Sequence, residues 1–482
     1  MRETVTAVSR PAARHTLGFA VAAMAGRSRS PISPRTTFAG AAADSRRVRP
    51  GQIFFALPGE RVDGERFCGA AIAAGAAAVV VGPGRGRPPG CERAAVIEVA
   101  DPRRALGDLA QAVRGRFSGI VVGVTGSNGK TTTKELVAAA LGSAGPVLRT
   151  EGNLNTDVGL PLTVLGAAGR ESFWVLEMAM RGRGEIARLA EIASPHIGIV
   201  TNVAAAHLGR LGSLDEVARA KGELYHGLAP DGVAVLPAGD NRLEAQAAHI
   251  PEARKLRFGD GEGDVSVLDA VAAGPSGQVV RYAVRHQPIV VRLPMGGAHN
   301  ARNGAAALCA VLGARVPLLP AAAALTNAAL PPHRSAAVVM AGRVVLDDCY
   351  NANPASMAAA LTAVAASVGS TSRAHAFAVL GDMLELGPEA ETLHDAVGAD
   401  VARQGIAGLV CLGALGERIA RGALAAGLPA DRVRATADPG EAARQVAAWT
   451  RPGDWILVKA SRGMQLERVV SALQTELATA RD

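Results

Sequence analysis

The chain has 482 residues, 49% hydrophobic and 3% aromatic, with a net charge of +8. That length exceeds one hydrophobic core and implies two to four domains. The basic residues are dispersed without interleaved aromatics, which argues against nucleic acid as a partner and suits an anionic, phosphate-bearing small molecule. No apolar run reaches the ~18 residues of a membrane span. The five cysteines, Cys68, Cys91, Cys309, Cys349 and Cys411, are odd in number and far apart. They show neither metal-ligand spacing nor a disulfide framework, which fits a reducing, cytoplasmic setting.

In chain order, residues 17–26 form a short apolar stretch after basic residues. It has the look of an export-signal core and equally reads as an alanine-rich amphipathic helix, and a nucleotide-using enzyme favours the helix. Residues 53–57 read as a strand, and 70–81 as a helix leading into a strand. This first block ends near Phe117. The second alternates strands and helices: strand 120–124, helix 135–141, strand 173–176, helix 185–193, strand 197–200, helix 214–228, strand 233–236. Such alternation predicts a parallel sheet covered by helices. Residues 260–291 read as antiparallel strands inserted later. From Arg334 the pattern repeats with strands at 344–346, 377–380, 409–412 and 455–458, a second doubly wound sheet. The fold class is therefore α/β, in three domains spanning 1–117, 118–333 and 334–482.

The strongest chemical signal follows strand 120–124. Thr125, Gly126, Ser127, Asn128, Gly129, Lys130, Thr131 and Thr132 form a glycine-rich turn running into a helix. Strand, turn and helix in that order are what a phosphate-binding loop requires, because backbone N–H groups and a helix N-terminus then converge on phosphate oxygens. Lys130, expected on an exposed loop, would reach the terminal phosphates, and the Thr131 hydroxyl would hold Mg²⁺. The common pattern has a glycine where Val124 stands; here the glycines fall at 123, 126 and 129. Three polar residues lie just beyond the carboxyl ends of neighbouring strands or on the next helix: Glu177, His207 and Lys221. Singly they read as a capping acid, a loop histidine and a solvated lysine. After a phosphate loop they form a candidate set for metal binding and catalysis.

These residues resemble the Mur ligase family of ATP-dependent amide-bond-forming enzymes, including the missing early glycine. The resemblance covers nearly the whole chain. Asp44-Ser45-Arg46, with residues 51–59 and Asp63-Gly64, is similar to the family's uridine-nucleotide domain. His299-Asn300 and Asn303 resemble its adenine-side motif, and Arg334 with Asp347-Asp348 the motif that brings the last domain onto ATP. Residues 347–357, 380–387 and 152–162 are similar to the branch joining D-alanyl-D-alanine to a UDP-N-acetylmuramoyl-tripeptide. Two departures from its patterns are Thr156, where an asparagine is usual, and Ala179, where a glycine is.

The resemblance implies an acyl-phosphate mechanism with ATP and Mg²⁺. It places Ser45, Arg46, Asn153, Asn155 and Thr156 at the uridine substrate, and Asn300, Asn303, Arg334 and Asp348 at ATP. Asn351, Asn353, Lys459 and Ser461 become candidates for the incoming dipeptide. Thr131, Glu177, His207 and a carbamylated Lys221 would bind the metal, and Lys130, Lys221, His207 and Glu177 would be catalytic. A monomer is expected. The alternatives are a family member adding a single amino acid, a folate polyglutamate ligase, and a non-catalytic nucleotide- or nucleic-acid-binding protein. The Asp44–Arg46 segment and the Tyr350-Asn351-Ala352-Asn353-Pro354 segment argue against the first two, and the second doubly wound block against the third.

Overall fold

The computed structural model describes residues 12–29, 31–59, 62–84, 87–92, 94–204, 211–368 and 373–479. Near its start, Thr16 caps the helix Leu17–Ala23 by accepting from the Phe19 N–H, and the helix buries Leu17 and Ala20. The alanine-rich stretch is thus a core-facing helix. A five-stranded sheet follows, in the order Arg27–Ser28, Ala95–Glu98, Ala78–Val81, Ile53–Phe55, Ala41–Ala42. It is parallel except at Arg27–Ser28.

The helix Pro102–Arg114 joins this layer to the next. Asp101 caps it and proline occupies its first turn, where no backbone donor is needed. The Arg114 guanidinium donates to the carbonyls of Ala193 and Ser194 at 2.7 and 2.9 Å. Just beyond, Phe117 stacks on Trp174 with ring centroids 4.0 Å apart.

The central sheet has nine strands, in the order Gln287–Leu293, Gln278–Val284, Val265–Ala272, Lys255–Asp260, Val233–Pro237, Ile197–Val200, Ile120–Thr125, Phe173–Glu177, Val147–Arg149. Ile120–Thr125 is almost wholly buried, as a parallel strand covered on both faces must be, and β-branched residues suit it. The strands read as an antiparallel insertion extend this same sheet: Phe258 pairs with Val265 in parallel, and only the last three strands form a meander. Alternate residues of Gln278–Val284 are buried. That face packs on the helix Ala298–Gly313, where the Tyr282 hydroxyl donates to the Ala301 carbonyl at 2.8 Å.

The third sheet has six strands, in the order Ala336–Met340, Arg343–Asp347, Trp455–Lys459, Ala376–Gly381, Gly408–Leu412, Val433–Thr436, parallel except at Ala336–Met340. Both edge strands escaped the sequence reading: Val433–Thr436 has its apolar residues interrupted by Arg434 and Thr436, and Ala336–Met340, though apolar throughout, is short, opens on two alanines and is partly exposed.

In both large sheets the strand order reverses next to a central strand, and crevices for ligands open at such points. In the central sheet the strand ends there supply Thr125, Glu177 and Thr201. In the last they supply Asp348 and Lys459. Among the described residues no helix is long and apolar enough to cross a membrane.

Candidate active site

The phosphate loop owes its glycine spacing to close contacts. Gly126 has φ +148°, and a Cβ there would lie 1.8 Å from the Thr201 hydroxyl. Gly129 has φ +78°, and its Cβ would meet the Asn303 amide oxygen at 2.5 Å. Only glycine fits either place. Val124 is still inside the strand, opposite Glu177 and Ile199 and fully buried. A packing valine there is better than glycine, which explains the departure from the common pattern.

The loop is held from the neighbouring strand end. The Thr201 hydroxyl donates to the Asn128 carbonyl at 2.5 Å, and Asn202 both accepts from the Asn128 N–H and donates to its carbonyl, each at 3.0 Å. Thr201 and Asn202 were missed by the sequence reading, although their place at the end of Ile197–Val200 was a signal. Lys130 is not on an exposed loop. It is the first residue of the helix Lys130–Gly142, half-buried, and donates to the carbonyls of Gly126 and Ser127 at 2.8 and 3.3 Å. Thr131, next on the helix, is buried. Thr132 is half-buried and lines the adjoining cleft with Ser127, Asn128 and Gly129.

Glu177 ends the strand Phe173–Glu177 and is 1% exposed. Its backbone N–H donates to the Thr150 hydroxyl at 3.0 Å, and its Oε1 accepts from the Asn155 amide at 2.8 Å. Its Oε2 is buried with no hydrogen-bond partner among the described residues, as is the Thr125 hydroxyl. A buried carboxylate oxygen left without a partner is costly, and an oxygen-seeking cation would satisfy it. The donor set fits Mg²⁺, which prefers carboxylate, hydroxyl and water oxygens.

Behind Glu177, the buried Lys134 donates to the Thr150 carbonyl at 2.6 Å and pairs with Glu135 at 2.8 Å, and Glu135 also pairs with Arg149 at 2.8 Å. This network, absent from the sequence reading, fixes Thr150 and through it the strand end bearing Glu177.

Lys221 lies in the helix Leu214–His226 and is 2% exposed, so it is not a solvated lysine. Burial, and then the neighbouring Lys130 ammonium, push its pKa well below that of a free lysine. Burial also lowers the pKa of Lys130, against the opposing pull of Glu177 and with a further push from Arg334. Lys221, Glu177 and Arg334 therefore each lie within electrostatic reach of Lys130. His207 lies outside the described residues.

Across the loop, the first two turns of Ala298–Gly313 carry Asn300 and Asn303, both buried and joined to each other at 3.1 Å. The last domain faces them over a cleft of about 610 Å³. There the Arg334 guanidinium lies 3.9 Å from the Tyr350 ring centroid. Asp348 accepts from the Ser335 N–H at 2.9 Å and pairs with Lys459 at 2.6 Å. Lys459 is 3% exposed and also donates to the Asn351 carbonyl. Asn353 caps the helix Pro354–Val368 through Ser356, and its amide donates to the Asn128 side chain at 2.7 Å, tying the last domain to the phosphate loop. Ser461 is buried, accepting from the Leu384 N–H at 2.9 Å. Asn351 is exposed.

The remaining candidates sit elsewhere. Arg46 is exposed and folds back on Asp44 with two bonds of 2.9 and 2.8 Å, holding the Asp44 carboxyl down at about 2. Ser45 begins the short helical turn Ser45–Arg47. Asn153 and Thr156 are exposed, whereas Asn155 turns inward to Glu177.

Three family models match successive parts of the chain. "Mur ligase family, catalytic domain" covers residues 37–114, "Mur ligase middle domain" 124–311, and "Mur ligase, glutamate ligase domain" 333–462. The UDP-N-acetylmuramoyl-tripeptide–D-alanyl-D-alanine ligase of Bacillus subtilis is 37% identical over 447 residues, spanning 92% of this chain and 95% of the relative. The crystal structure of MurF from Acinetobacter baumannii superposes with a TM-score of 0.86 at 29% identity, covering 96% of this chain and all of that one. MurF ligase from Thermotoga maritima, solved in complex with ADP, gives 0.79 at 29% identity over 92% and 98% of the two chains. A phosphate loop with its glycines at 123, 126 and 129, a third domain reaching it through Asn353, and this near-complete likeness in sequence and shape lead to one assignment: the chain belongs to the Mur ligase family.

Proposed function

We propose that the chain joins D-alanyl-D-alanine to the terminal carboxylate of UDP-N-acetylmuramoyl-tripeptide, using ATP and Mg²⁺, in the cytoplasmic synthesis of the peptidoglycan precursor. The acting unit is the single chain, with residues 1–117 holding the uridine nucleotide, 118–333 ATP and 334–482 the incoming dipeptide. One observation carries the reading: Asn353 of the last domain hydrogen-bonds Asn128 of the phosphate loop. An acid activated at the loop and an amine held by the last domain therefore meet in one cleft. The substrates are those that name the Bacillus subtilis relative.

A free carboxylate does not condense with an amine in water. Here the tripeptide carboxylate attacks the γ-phosphorus of ATP, giving an acyl phosphate and ADP. The dipeptide amine then attacks that carbonyl, phosphate leaves, and the amine proton passes to solvent. The first step brings anions together. Two like charges ~4 Å apart repel by about 4 kcal/mol at an effective dielectric near 20. Lys130 offsets part of this from the start of its helix, whose N–H groups add a fixed positive field. Mg²⁺, held by Thr131, Glu177, His207 and Lys221, would neutralise the rest. Lys221 serves as a carbamate: its lowered pKa favours the uncharged amine, whose nitrogen bonds to the carbon of CO₂ and releases a proton to solvent, leaving an anion with two oxygen donors. Asn155 orients Glu177, and Asn300 and Asn303 shape the adenine side. Ser45, Arg46, Asn153 and Thr156 remain for the uridine substrate, and Asn351, Lys459 and Ser461 for the dipeptide.

An amine panel tests the reading. With ATP, Mg²⁺ and UDP-N-acetylmuramoyl-tripeptide, phosphate release should require D-alanyl-D-alanine. Equal turnover with single amino acids would return the chain to another branch of the family.

The segment joining the last two domains is also expected to move. His333 and Ser335 adopt φ of +64° and +51° on either side of Arg334, conformations that non-glycine residues rarely hold without constraint. These constrained conformations support a hinge at residues 332–335. Small-angle scattering should show a more compact particle with an ATP analogue and tripeptide substrate than without, and superimposable curves would remove the hinge.

A further inference from the structure

The same hinge carries a constellation that the ligase reaction does not use. The His333 Nδ1 lies 2.7 Å from the Asp347 Oδ2. The Cys349 Sγ lies 2.9 Å from the other oxygen of that carboxylate and 3.7 Å from the His333 nitrogen. Asp347 and Cys349 are buried and His333 is half-buried, open to solvent on one side. Among the described residues no other set of three such groups brings its ligand atoms together. Zinc bound to sulfur at ~2.3 Å and to nitrogen or oxygen at ~2.0–2.1 Å in a tetrahedron separates its ligand atoms by about 3.3–3.6 Å. The distances here bracket that range, so side-chain adjustments of under ~1 Å would open the site.

We propose that His333, Asp347 and Cys349 bind a soft divalent cation of the zinc class. A mixed sulfur, nitrogen and carboxylate set selects such an ion over Mg²⁺, which is a poor partner for a thiolate. Glu467 lies within electrostatic reach of Cys349 and has an Oε2 buried with no hydrogen-bond partner among the described residues; it stands outside the three-residue cluster, so it would supply a fourth donor only after reorienting, and otherwise water completes the set. On binding, the Cys349 S–H bond breaks, its electron pair goes to the metal, and the proton leaves to solvent. Burial raises the Cys349 pKa, with the hydrogen bond to Asp347 adding to it, so the cation competes with a firmly held proton and binds tighter as pH rises. Position gives the site a consequence. His333 precedes Arg334 in the hinge, while Asp347 and Cys349 flank Asp348. A bound cation would clamp hinge to strand end and slow movement of the last domain.

Cobalt(II) supplies the probe, because thiolate ligation gives an ultraviolet charge-transfer band that oxygen and nitrogen sites lack. Full-length protein in excess Mg²⁺ should develop this band, saturating at one equivalent, and Zn²⁺ should bleach it. Cys349→Ser should abolish the band. His333→Gln, a change at a half-exposed side chain that leaves the fold intact, should weaken cobalt binding at least tenfold, so the test stands even where the serine variant folds poorly. No band in the wild-type protein, or an unchanged titration in His333→Gln, would overturn the proposal.

Discussion

Lys221→Ala is expected to lose nearly all ligase activity while keeping its fold. Alanine is a good helix former, and the site lies in the middle of Leu214–His226. The change also removes a side chain that is 2% exposed and whose charge is costly to bury, so the melting temperature should hold within the range of ordinary single substitutions. Activity should fall by two orders of magnitude or more, about 2.7 kcal/mol or above in barrier height, because the anion proposed to complete the metal's ligand set would be gone. Acetate should partly restore it by entering the vacated space. Lys221→Glu should keep slight activity, since it retains a carboxylate on a shorter stem. Wild-type enzyme depleted of CO₂ should slow and recover with bicarbonate. Wild-type turnover in Lys221→Ala would remove the carbamate from the mechanism.

Lys130→Ala should be comparably severe, for a different reason. Lys130 has no anionic side-chain partner among the described residues and spends its hydrogen bonds on two loop carbonyls. Its ammonium is therefore available to oxygens that gain charge as the phosphoryl group moves, and loss of one such donor typically lowers kcat by about 10²–10³-fold. Far-UV circular dichroism should be unchanged, because Thr201 and Asn202 hold the loop independently. Retention of more than about a tenth of the activity, under ~1.4 kcal/mol, would contradict the role.

Much of this architecture could be read from the chain. The buried parallel strands announce themselves as runs such as Val121-Val122-Gly123-Val124, and the phosphate loop by glycines flanked by strand and helix. The edge strands Ala336–Met340 and Val433–Thr436 were not read that way: the first is a short apolar run that opens on two weakly β-forming alanines, and the second is broken by Arg434 and Thr436. The insertion at residues 260–291 showed its antiparallel habit but not that it prolongs the central sheet, since so short a connection between Phe258 and Val265 suggests a hairpin and the structure pairs them in parallel. The site followed the same division. Residue types proposed for a direct chemical role, Lys130, Glu177 and Lys221, stood out, whereas those acting through others did not. Lys134 looks like one more helix lysine until Thr150 is seen behind Glu177. Asn353 suggested a substrate contact, and the structure shows it capping a helix and reaching Asn128.

The central claim, that the cleft activates the tripeptide by phosphorylating its terminal carboxylate, is tested most directly by isotope transfer. UDP-N-acetylmuramoyl-tripeptide labelled with oxygen-18 in that carboxylate should be turned over with ATP and D-alanyl-D-alanine, and the released phosphate analysed by mass spectrometry. The account predicts one labelled oxygen in each phosphate, because the bond broken in the second step joins the carbonyl carbon to the oxygen that began in the substrate. Unlabelled phosphate accompanying dipeptide addition would contradict it.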